Sequence, residues 1–360
     1  MKPQLWCAVF LASLSGALAQ TAFTPGNLVV LQVGSGSGAP SSVATALFVN
    51  EYSLTPNTLI QQIAVPADGT GLTLSGSASS EGALTLSSDG TLVTFAGYVA
   101  SAGTTGIAGS GVPRAVGVLN AQGTFSVTAS TVGSLAFASN NVRSAVSDGR
   151  GYWMGGTAAV SANGGVWYST GSGTPAQVAS GNIRNLNLSS GSLFYSTGSG
   201  THGIYQFTGL PTGTASAGSA LIPTGSSSSP YDFAISADGN TAYVADDGGT
   251  TQGVQKWVKS SGTWSLAYTL PVGSTSGARQ LTVDWGNSLI FATTAESTAN
   301  RLIEIFDGGS VGASTETTLD TAPANTLYRG VDFAPIPEPS TVTLLGLGLV
   351  ALFARRNRTA

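Results

Sequence analysis

One hairpin pattern recurs along most of this chain, and it constrains the fold more than any other feature. In its clearest copy, residues 231–245 read YDFAISADGNTAYVA. Phe233 and Ile235 alternate with small residues, which is typical of a half-buried strand. The turn Asp238-Gly239-Asn240 contains residues that tolerate a positive φ, and an apolar strand returns from it. The chain is therefore predicted to be built from β-hairpins.

Seven copies can be aligned on their first strand, and their spacing indicates the architecture. The copies begin at Gly82, Arg114, Arg143, Arg184, Tyr231, Arg279 and Arg329. The later intervals approach the roughly 40–50 residues of a four-stranded propeller blade, and the shorter early ones are interpreted as trimmed blades. A β-solenoid is the alternative, but its coils repeat at about 20–30 residues. The longer intervals hold two hairpins each, which favours the propeller.

The two ends of the repeat region complement each other. The seventh copy, RGVDF at 329–333, has no return strand, while residues 27–33, 46–52 and 59–65 form three strands that belong to no copy. One C-terminal and three N-terminal strands would make one blade and close the ring, which removes exposed sheet edges. We predict an all-β, seven-bladed propeller over residues 20–334, followed by a short C-terminal apolar helix.

Composition excludes several classes of function. Without Lys2, Arg355, Arg356 and Arg358, which lie in the terminal segments, nine basic residues face 17 acidic ones. This acidic balance argues against a nucleic-acid partner, because phosphate binding needs a basic face. The chain has one cysteine, Cys7, and one histidine. A disulfide framework and a zinc site are therefore not expected, and no metal or cofactor is predicted.

The N-terminus has the three parts of a secretory signal peptide. Lys2 supplies a positive start, residues 5–14 are apolar, and Ala17 and Ala19 form an A-x-A cleavage site. This order predicts a signal peptide over residues 1–19. The alternative is a buried N-terminal helix.

The C-terminus, residues 335–360, carries a second sorting pattern. Pro337, Glu338, Pro339 and Ser340 are followed by an apolar run, Val342–Ala354, and then by Arg355, Arg356 and Arg358. The run has 13 residues, fewer than the ~20 that cross a full hydrocarbon core. The arginines would remain cytoplasmic and act as a membrane stop signal. A plain C-terminal membrane anchor is the alternative interpretation.

These last 25 or so residues closely resemble the PEP-CTERM sorting signal of Gram-negative bacteria. The resemblance implies an exported protein that is anchored transiently in the inner membrane and then reaches the outer surface or the extracellular matrix. It also implies processing by an exosortase near Pro337-Glu338-Pro339, and an association with exopolysaccharide or biofilm matrix.

The first position of the aligned strands is arginine in five of seven copies: Arg114, Arg143, Arg184, Arg279 and Arg329. Because inner strands all begin at one end of a propeller channel, the guanidinium groups are predicted to ring one mouth. Such a ring could hold a carboxylate, sulfate or phosphate group. Alternatively, each arginine binds carbonyl groups or an acid of the adjacent blade. We favour this second interpretation, since a repeated residue usually serves the packing of its repeat.

Three weaker patterns have ordinary structural interpretations. Asp246-Asp247-Gly248-Gly249 could hold calcium but is more typical of a solvated turn. His202 has no nearby acid or nucleophile pattern that would make it a catalytic base. An aromatic set could line a sugar-binding surface, although its strand positions favour packing. The set is Trp153, Trp167, Tyr168, Trp257, Trp264 and Trp285.

Two functional hypotheses follow. The first is an exported, surface-sorted, non-enzymatic binding or structural protein of the bacterial envelope or biofilm matrix. The second is a secreted propeller hydrolase or lyase that acts at the channel mouth. The second needs histidine, acid or metal groups that converge there, and the chain is poor in them.

Overall fold

The computed structural model describes residues 21–273 and 276–338, and these residues form a six-bladed β-propeller. Blades 1 to 5 are four-stranded sheets that follow one another along the chain, each with its first strand innermost. Together, these five sheets contain the strands β6 to β25. Blade 6 combines the C-terminal strand with three N-terminal strands, in the order β26-β1-β3-β4.

The N-terminal strands are β1 (Leu28–Val33), β2 (Ala44–Thr45), β3 (Leu47–Leu54), β4 (Asn57–Ala64) and β5 (Leu74–Ser75). Blade 1 holds β6 (Leu84–Leu86), β7 (Leu92–Tyr98), β8 (Arg114–Asn120) and β9 (Phe125–Thr128). Blade 2 holds β10 (Val142–Ser147), β11 (Tyr152–Gly156), β12 (Gly165–Ser169) and β13 (Ala176–Ala179). Blade 3 holds β14 (Leu186–Ser189), β15 (Ser192–Thr197), β16 (Gly203–Gln206) and β17 (Ile222–Pro223).

Blade 4 holds β18 (Pro230–Ile235), β19 (Thr241–Asp246), β20 (Gly253–Ser260) and β21 (Thr263–Leu270). Blade 5 holds β22 (Ala278–Asp284), β23 (Leu289–Thr294), β24 (Arg301–Phe306) and β25 (Thr315–Thr321). The inner strand of blade 6 is β26 (Leu327–Phe333). β2 and β5 pair with each other outside the blades.

The hairpin predicted for residues 231–245 is confirmed. β18 and β19 pair antiparallel, with Phe233 opposite Val244. In the turn, the Ser236 hydroxyl and the Asn240 N–H both donate to the Asp238 carboxylate, while Gly239 takes a φ of +69°. Glycine adopts this left-handed conformation without a Cβ clash, so it allows the tight reversal.

Ring closure is also confirmed, but the predicted number of seven blades is wrong. The strand that begins at Arg114 is β8, the third strand of blade 1, and it pairs with β7. Inner and outer hairpins of a blade share the same two-residue alternation and glycine turns. The spacing of the sequence pattern therefore assigned the two hairpins of blade 1 to two separate blades. The predicted C-terminal apolar helix lies outside the described residues. Within them, no helix is long and apolar enough to cross a membrane.

The core consists of apolar layers between neighbouring sheets. Buried side chains form six clusters, and each lies between two adjacent blades around the ring. Trp153 of blade 2, for example, packs with Leu186 and Phe207 of blade 3. Each blade therefore depends on both of its neighbours for burial of its faces.

Polar side chains along the channel add bonds between the inner strands. The Asp332 carboxylate accepts from the Leu86 N–H at 2.6 Å and from the Thr282 hydroxyl at 2.9 Å, which joins blades 5, 6 and 1. Asp232 accepts from the Leu281 N–H at 3.1 Å, which joins blades 4 and 5. These bonds hold the inner strands at a fixed spacing and so position the residues at the channel mouth.

Candidate functional site

Four arginines converge on the mouth where the inner strands begin. They are Arg143, Arg184, Arg279 and Arg329, from blades 2, 3, 5 and 6, and Tyr231 has the equivalent place in blade 4. The strand pairing is irregular at Arg143, Tyr231, Arg279 and Arg329, where the inner strand has one extra residue. A β-bulge of this kind re-aims side chains at the end of a strand. We call this set the arginine mouth.

Tyr231 links two of these arginines. The Cζ atom of Arg184 lies 4.4 Å from the centroid of its ring, and that of Arg279 lies 5.6 Å from it. Tyr231 is itself buried. Cation–π attraction favours placing a guanidinium near an aromatic face, so the ring offsets part of the repulsion between the two charges.

Three of the arginines also contact the neighbouring blade, as the packing interpretation expects. Arg143 donates to the Asn182 side chain at 2.5 Å and to a carbonyl, and Arg184 donates to the Ser229 hydroxyl at 2.5 Å. Arg279 pairs with the Asp247 carboxylate of blade 4 at 2.8 Å. These contacts fix the side chains and leave further N–H groups of Arg143 and Arg184 without a carboxylate.

Arg329 is the least satisfied member of the mouth. It is only 7% exposed, yet its guanidinium makes a single hydrogen bond to the described chain, to the Gly76 carbonyl at 3.0 Å. Its Nε atom has no hydrogen-bond partner among residues 21–273 and 276–338. Desolvation and the nearby charge of Arg279 lower the pKa of Arg329 to about 10. A buried guanidinium without a carboxylate is costly, so this site is suited to an added anion.

Arg279 and Arg329 line one cleft. It has a volume of about 380 Å³, and Ser77, Ser79 and Thr298 share its wall. Glu296 also lines the cleft, and its carboxylate is paired with Arg301 at 3.0 Å. The volume is within the range of small-molecule sites. Two guanidiniums beside a row of hydroxyls suit an acidic sugar, because the guanidiniums match a carboxylate and the hydroxyls match those of the sugar ring.

Glu81 lines a small separate cavity that Arg279 and Arg329 also line, and its carboxylate is already bonded. It accepts from the Tyr98 hydroxyl, from the Asn141 amide at 2.5 Å and from the Ser75 N–H at 2.9 Å. Burial raises the pKa of Glu81. Glu81 therefore lies near Arg329 without forming an ion pair with it, because its oxygens are taken by donors of the chain.

Arg114 does not belong to the mouth, and the predicted ring of five was wrong on this point. It begins β8, two strands outward from the channel, opposite Tyr98. Its terminal nitrogens donate to four carbonyls, those of Ala108, Ser110, Val112 and Asn140. Arg114 thus has the packing role that the alternative interpretation gave to all five.

Most residues of the three weaker sequence patterns are buried or hydrogen-bonded within the fold. Asp246 is fully buried rather than solvated, and it accepts four hydrogen bonds from the chain. His202 bonds through Nδ1 to the Ser228 carbonyl at 2.6 Å.

Most of the predicted aromatic set is buried, namely Trp153, Trp167, Trp257 and Trp264. Trp285, in contrast, is 39% exposed and lines a pocket of about 530 Å³ at the other end of the channel. Over the described ranges, no group of three or more His, Cys, Asp or Glu residues could hold a metal ion.

Sequence reasoning missed the role of Tyr231, which it treated as an exception to the arginine pattern. It also did not pair Asp247 with Arg279, because these residues lie in different blades. The Asp-Asp-Gly-Gly turn was the available signal for such a partner. Seven predicted residues of the two terminal signals lie outside the described residues; they are Ala17, Ala19, Pro339, Ser340, Arg355, Arg356 and Arg358.

The terminal pattern is decided by comparison with family models. Residues 335–358 match the PEP-CTERM protein-sorting motif. The chain carries a PEP-CTERM sorting signal. This signal indicates an exported protein that is anchored transiently in the membrane and processed by an exosortase-type enzyme. A search of curated proteins found no match.

Solved structures support the fold. The periplasmic gluconolactonase PpgL of Pseudomonas aeruginosa is 14% identical with a TM-score of 0.52, over 86% of this chain and all of that one. A nidogen–laminin complex contains a chain that is 11% identical with a TM-score of 0.50, over 86% and 100%. TolB from Acinetobacter baumannii is 11% identical with a TM-score of 0.50, over 84% and 67%. At such identities the likeness establishes a propeller and no activity.

Proposed function

We propose that this exported protein is a non-enzymatic binding protein of the bacterial envelope or its exopolysaccharide matrix, and that its arginine mouth captures an acidic sugar. The observation that carries the proposal is Arg329, a buried guanidinium with one carbonyl partner in a cleft that it shares with Arg279. A carboxylate in this cleft would offset both the desolvation of Arg329 and its repulsion from Arg279.

The surrounding charges support an anion as ligand. The chain as a whole is acidic, with a formal charge of −4, so a cluster of arginines at one mouth runs against its overall balance. The cation–π contacts of Tyr231 and the bonds to neighbouring blades hold the arginines in place before any ligand arrives. Such preorganisation reduces the entropy lost on binding.

Thermal unfolding of the chain without its signal peptide tests this function. A ligand that binds the folded state raises the melting temperature by mass action. We expect a uronic-acid oligosaccharide to raise it at constant ionic strength and a neutral oligosaccharide of equal length to leave it unchanged. Sulfate is included to separate a general anion site from one that recognises a sugar acid. The absence of any shift with either anion would refute the proposal.

Substitutions test whether the uronic acid binds at the arginine mouth. Arg329→Met and Arg279→Ala are expected to abolish the shift caused by the uronic acid. Arg150→Ala is the matched control, because Arg150 is exposed in the β10–β11 turn at the opposite end of the channel. A shift that survives in the Arg329 and Arg279 variants would place binding elsewhere.

The same experiment separates binding from catalysis. A hydrolase or lyase would shorten the uronic-acid oligosaccharide during incubation, and chromatography of the recovered sugar would detect shorter products. We expect the sugar to be recovered intact. Cleavage by the wild-type chain that is lost in Arg279→Ala would favour the enzymatic alternative.

A further inference from the structure

The sorting signal leaves the propeller at the end of the channel opposite the arginine mouth. β26 runs from Leu327, beside Arg329, to Phe333 at the other face. Beyond it, the Ala334 N–H donates to the Asn27 carbonyl at 2.8 Å, and the Ile336 N–H donates to the Gly90 carbonyl at 2.8 Å. Gly90 lies in the turn between β6 and β7 at that face. The chain is thus fixed to the fold as far as Ile336, and Pro337 and Glu338 are exposed.

The remaining tether is short. The apolar run of the sorting signal begins at Val342, six residues beyond Ile336. Six extended residues span roughly 20 Å at most. To reach the mouth side, the tether would have to cross a blade of four strands, roughly 15 Å, and then follow its edge for another 20 Å or so. The tether cannot cover this path, so the membrane cannot lie against the arginine mouth.

The face from which the tail leaves also differs in charge from the mouth. Four of its inner hairpin turns contain an aspartate, and one of these turns also contains Arg150; the aspartates are Asp89, Asp148, Asp238 and Asp284. We call the surface formed by these turns and Ile336 the exit face. In the Asp238 turn, bonds from Ser236 and Asn240 lower the pKa of the carboxyl, so it stays ionised. An acidic surface is not attracted to anionic lipids, and attachment would therefore depend on the tail.

We propose that the exit face is turned toward the lipid surface while the sorting signal is intact, and that the arginine mouth points away from it. The mouth is then open to ligand before processing, and the acidic exit face lets the protein leave the membrane once the tail is cut. This inference rests on the sorting signal and the strand topology. It is independent of what the mouth binds.

The chain allows a direct test, because Cys7 is its only cysteine and lies in the predicted signal peptide. The chain that starts at Gln20 can carry a single fluorophore at Ala237→Cys, in the exit-face turn after β18, or at Ser77→Cys, beside the mouth. Each labelled chain is reconstituted by its tail into phosphatidylcholine vesicles that contain an acceptor dye on a lipid headgroup. We expect strong energy transfer from position 237 and several-fold weaker transfer from position 77.

Equal transfer from the two positions, or stronger transfer from position 77, would overturn the proposed orientation. The matched control is the same pair of labelled chains ending at Glu338, which keep the exit face but lose the apolar run. We expect these chains to stay off the vesicles and to show no transfer, also when phosphatidylglycerol is added. Vesicle binding by the shortened chain, or none by the full chain, would refute attachment through the tail alone.

Discussion

Arg329 and Arg114 show how the same residue type serves two purposes in one fold. Both are almost fully buried, but Arg114 donates to four carbonyls, whereas Arg329 donates to one. A buried donor that loses its acceptor costs free energy, and so does a carbonyl that loses its donor. Removal of the charge should therefore destabilise the fold much more at Arg114 than at Arg329.

We expect Arg114→Met to lower the free energy of unfolding by about 3 kcal/mol, because it leaves four carbonyls without their donor. Arg329→Met should change stability by less than about 1 kcal/mol, since it frees one carbonyl and removes repulsion with Arg279. Urea unfolding of both variants without ligand measures the difference. A larger loss for Arg329→Met would mean that this residue, too, serves packing.

Tyr231 offers a second contrast at this scale. Its ring lies near two guanidiniums, and both of these contacts are made by the ring rather than by the hydroxyl. Tyr231→Phe is therefore expected to keep the affinity for a uronic acid within about twofold. Tyr231→Ala, which removes the ring, should weaken it about tenfold, a value typical of cation–π contacts near buried charges. Calorimetric titration measures both, and equal losses would assign the role to the hydroxyl.

Between elements, the carboxylates of the inner strands join one blade to the next. Asp332 accepts from blades 1 and 5, and Asp232 accepts from blade 5. Desolvation raises the pKa of Asp332 to about 6, and desolvation together with the charge of Asp332 raises the pKa of Asp232 well above its usual range. Both groups thus hold a proton more strongly in the folded chain than in the unfolded one.

This difference predicts a pH dependence of stability. Between pH 4 and 6 the folded state keeps the proton of Asp332 while the unfolded state releases it, so the free energy of unfolding falls as the pH rises. For Asp332 the loss is about 2–3 kcal/mol. Asp332→Asn should make the fall shallower over this window without removing it, because burial also raises the pKa of Asp232. Denaturant unfolding from pH 4 to 8 measures it, and Asp238→Asn, in an exposed turn, is the control that should leave the fall in place.

At the scale of the whole molecule, stability depends on closure of the ring. Blade 6 takes its inner strand from the C-terminus and three strands from the N-terminus. Its loss would expose the apolar faces of blades 1 and 5 and leave β26 without a partner. The six blades should therefore unfold together.

Deletion of residues 27–65 is expected to abolish the cooperative thermal transition, because it opens the ring and leaves two unprotected sheet faces. Truncation after Glu338 is the control, since it spares the Ile336 contact with Gly90 and should leave the transition unchanged. Differential scanning calorimetry distinguishes the two. A normal transition in the deleted chain would show that blades 1 to 5 form a stable unit.

The sorting signal leads to a further prediction for the whole chain. Because the motif at 335–358 is a site of processing, the protein recovered from its native host should end near Pro337-Glu338-Pro339. Intact-mass measurement would find a chain that lacks the apolar run and the terminal arginines. A mature chain that still ends at Ala360 would contradict processing.

The hairpins, the closure of the ring and the sorting signal could all be predicted from the sequence. These features are local or terminal: two-residue alternation, a glycine turn, three unassigned strands at one end and one at the other, and an ordered tail motif. Each can be recognised from neighbouring residues, because turn chemistry and side-chain alternation act over a few positions.

The number of blades and the set of arginines that meet at the mouth became clear only from the fold. The hairpins of 82–96 and 114–127 look alike, and only the pairing of β8 with β7 places them in one sheet. Likewise, Arg114 and Arg329 have the same local pattern. Arg114 begins the third strand of blade 1, whereas Arg329 lies within the inner strand of blade 6 and donates to the Gly76 carbonyl. Strand partners and burial arise from contacts between residues far apart in the chain, and a local pattern does not specify them.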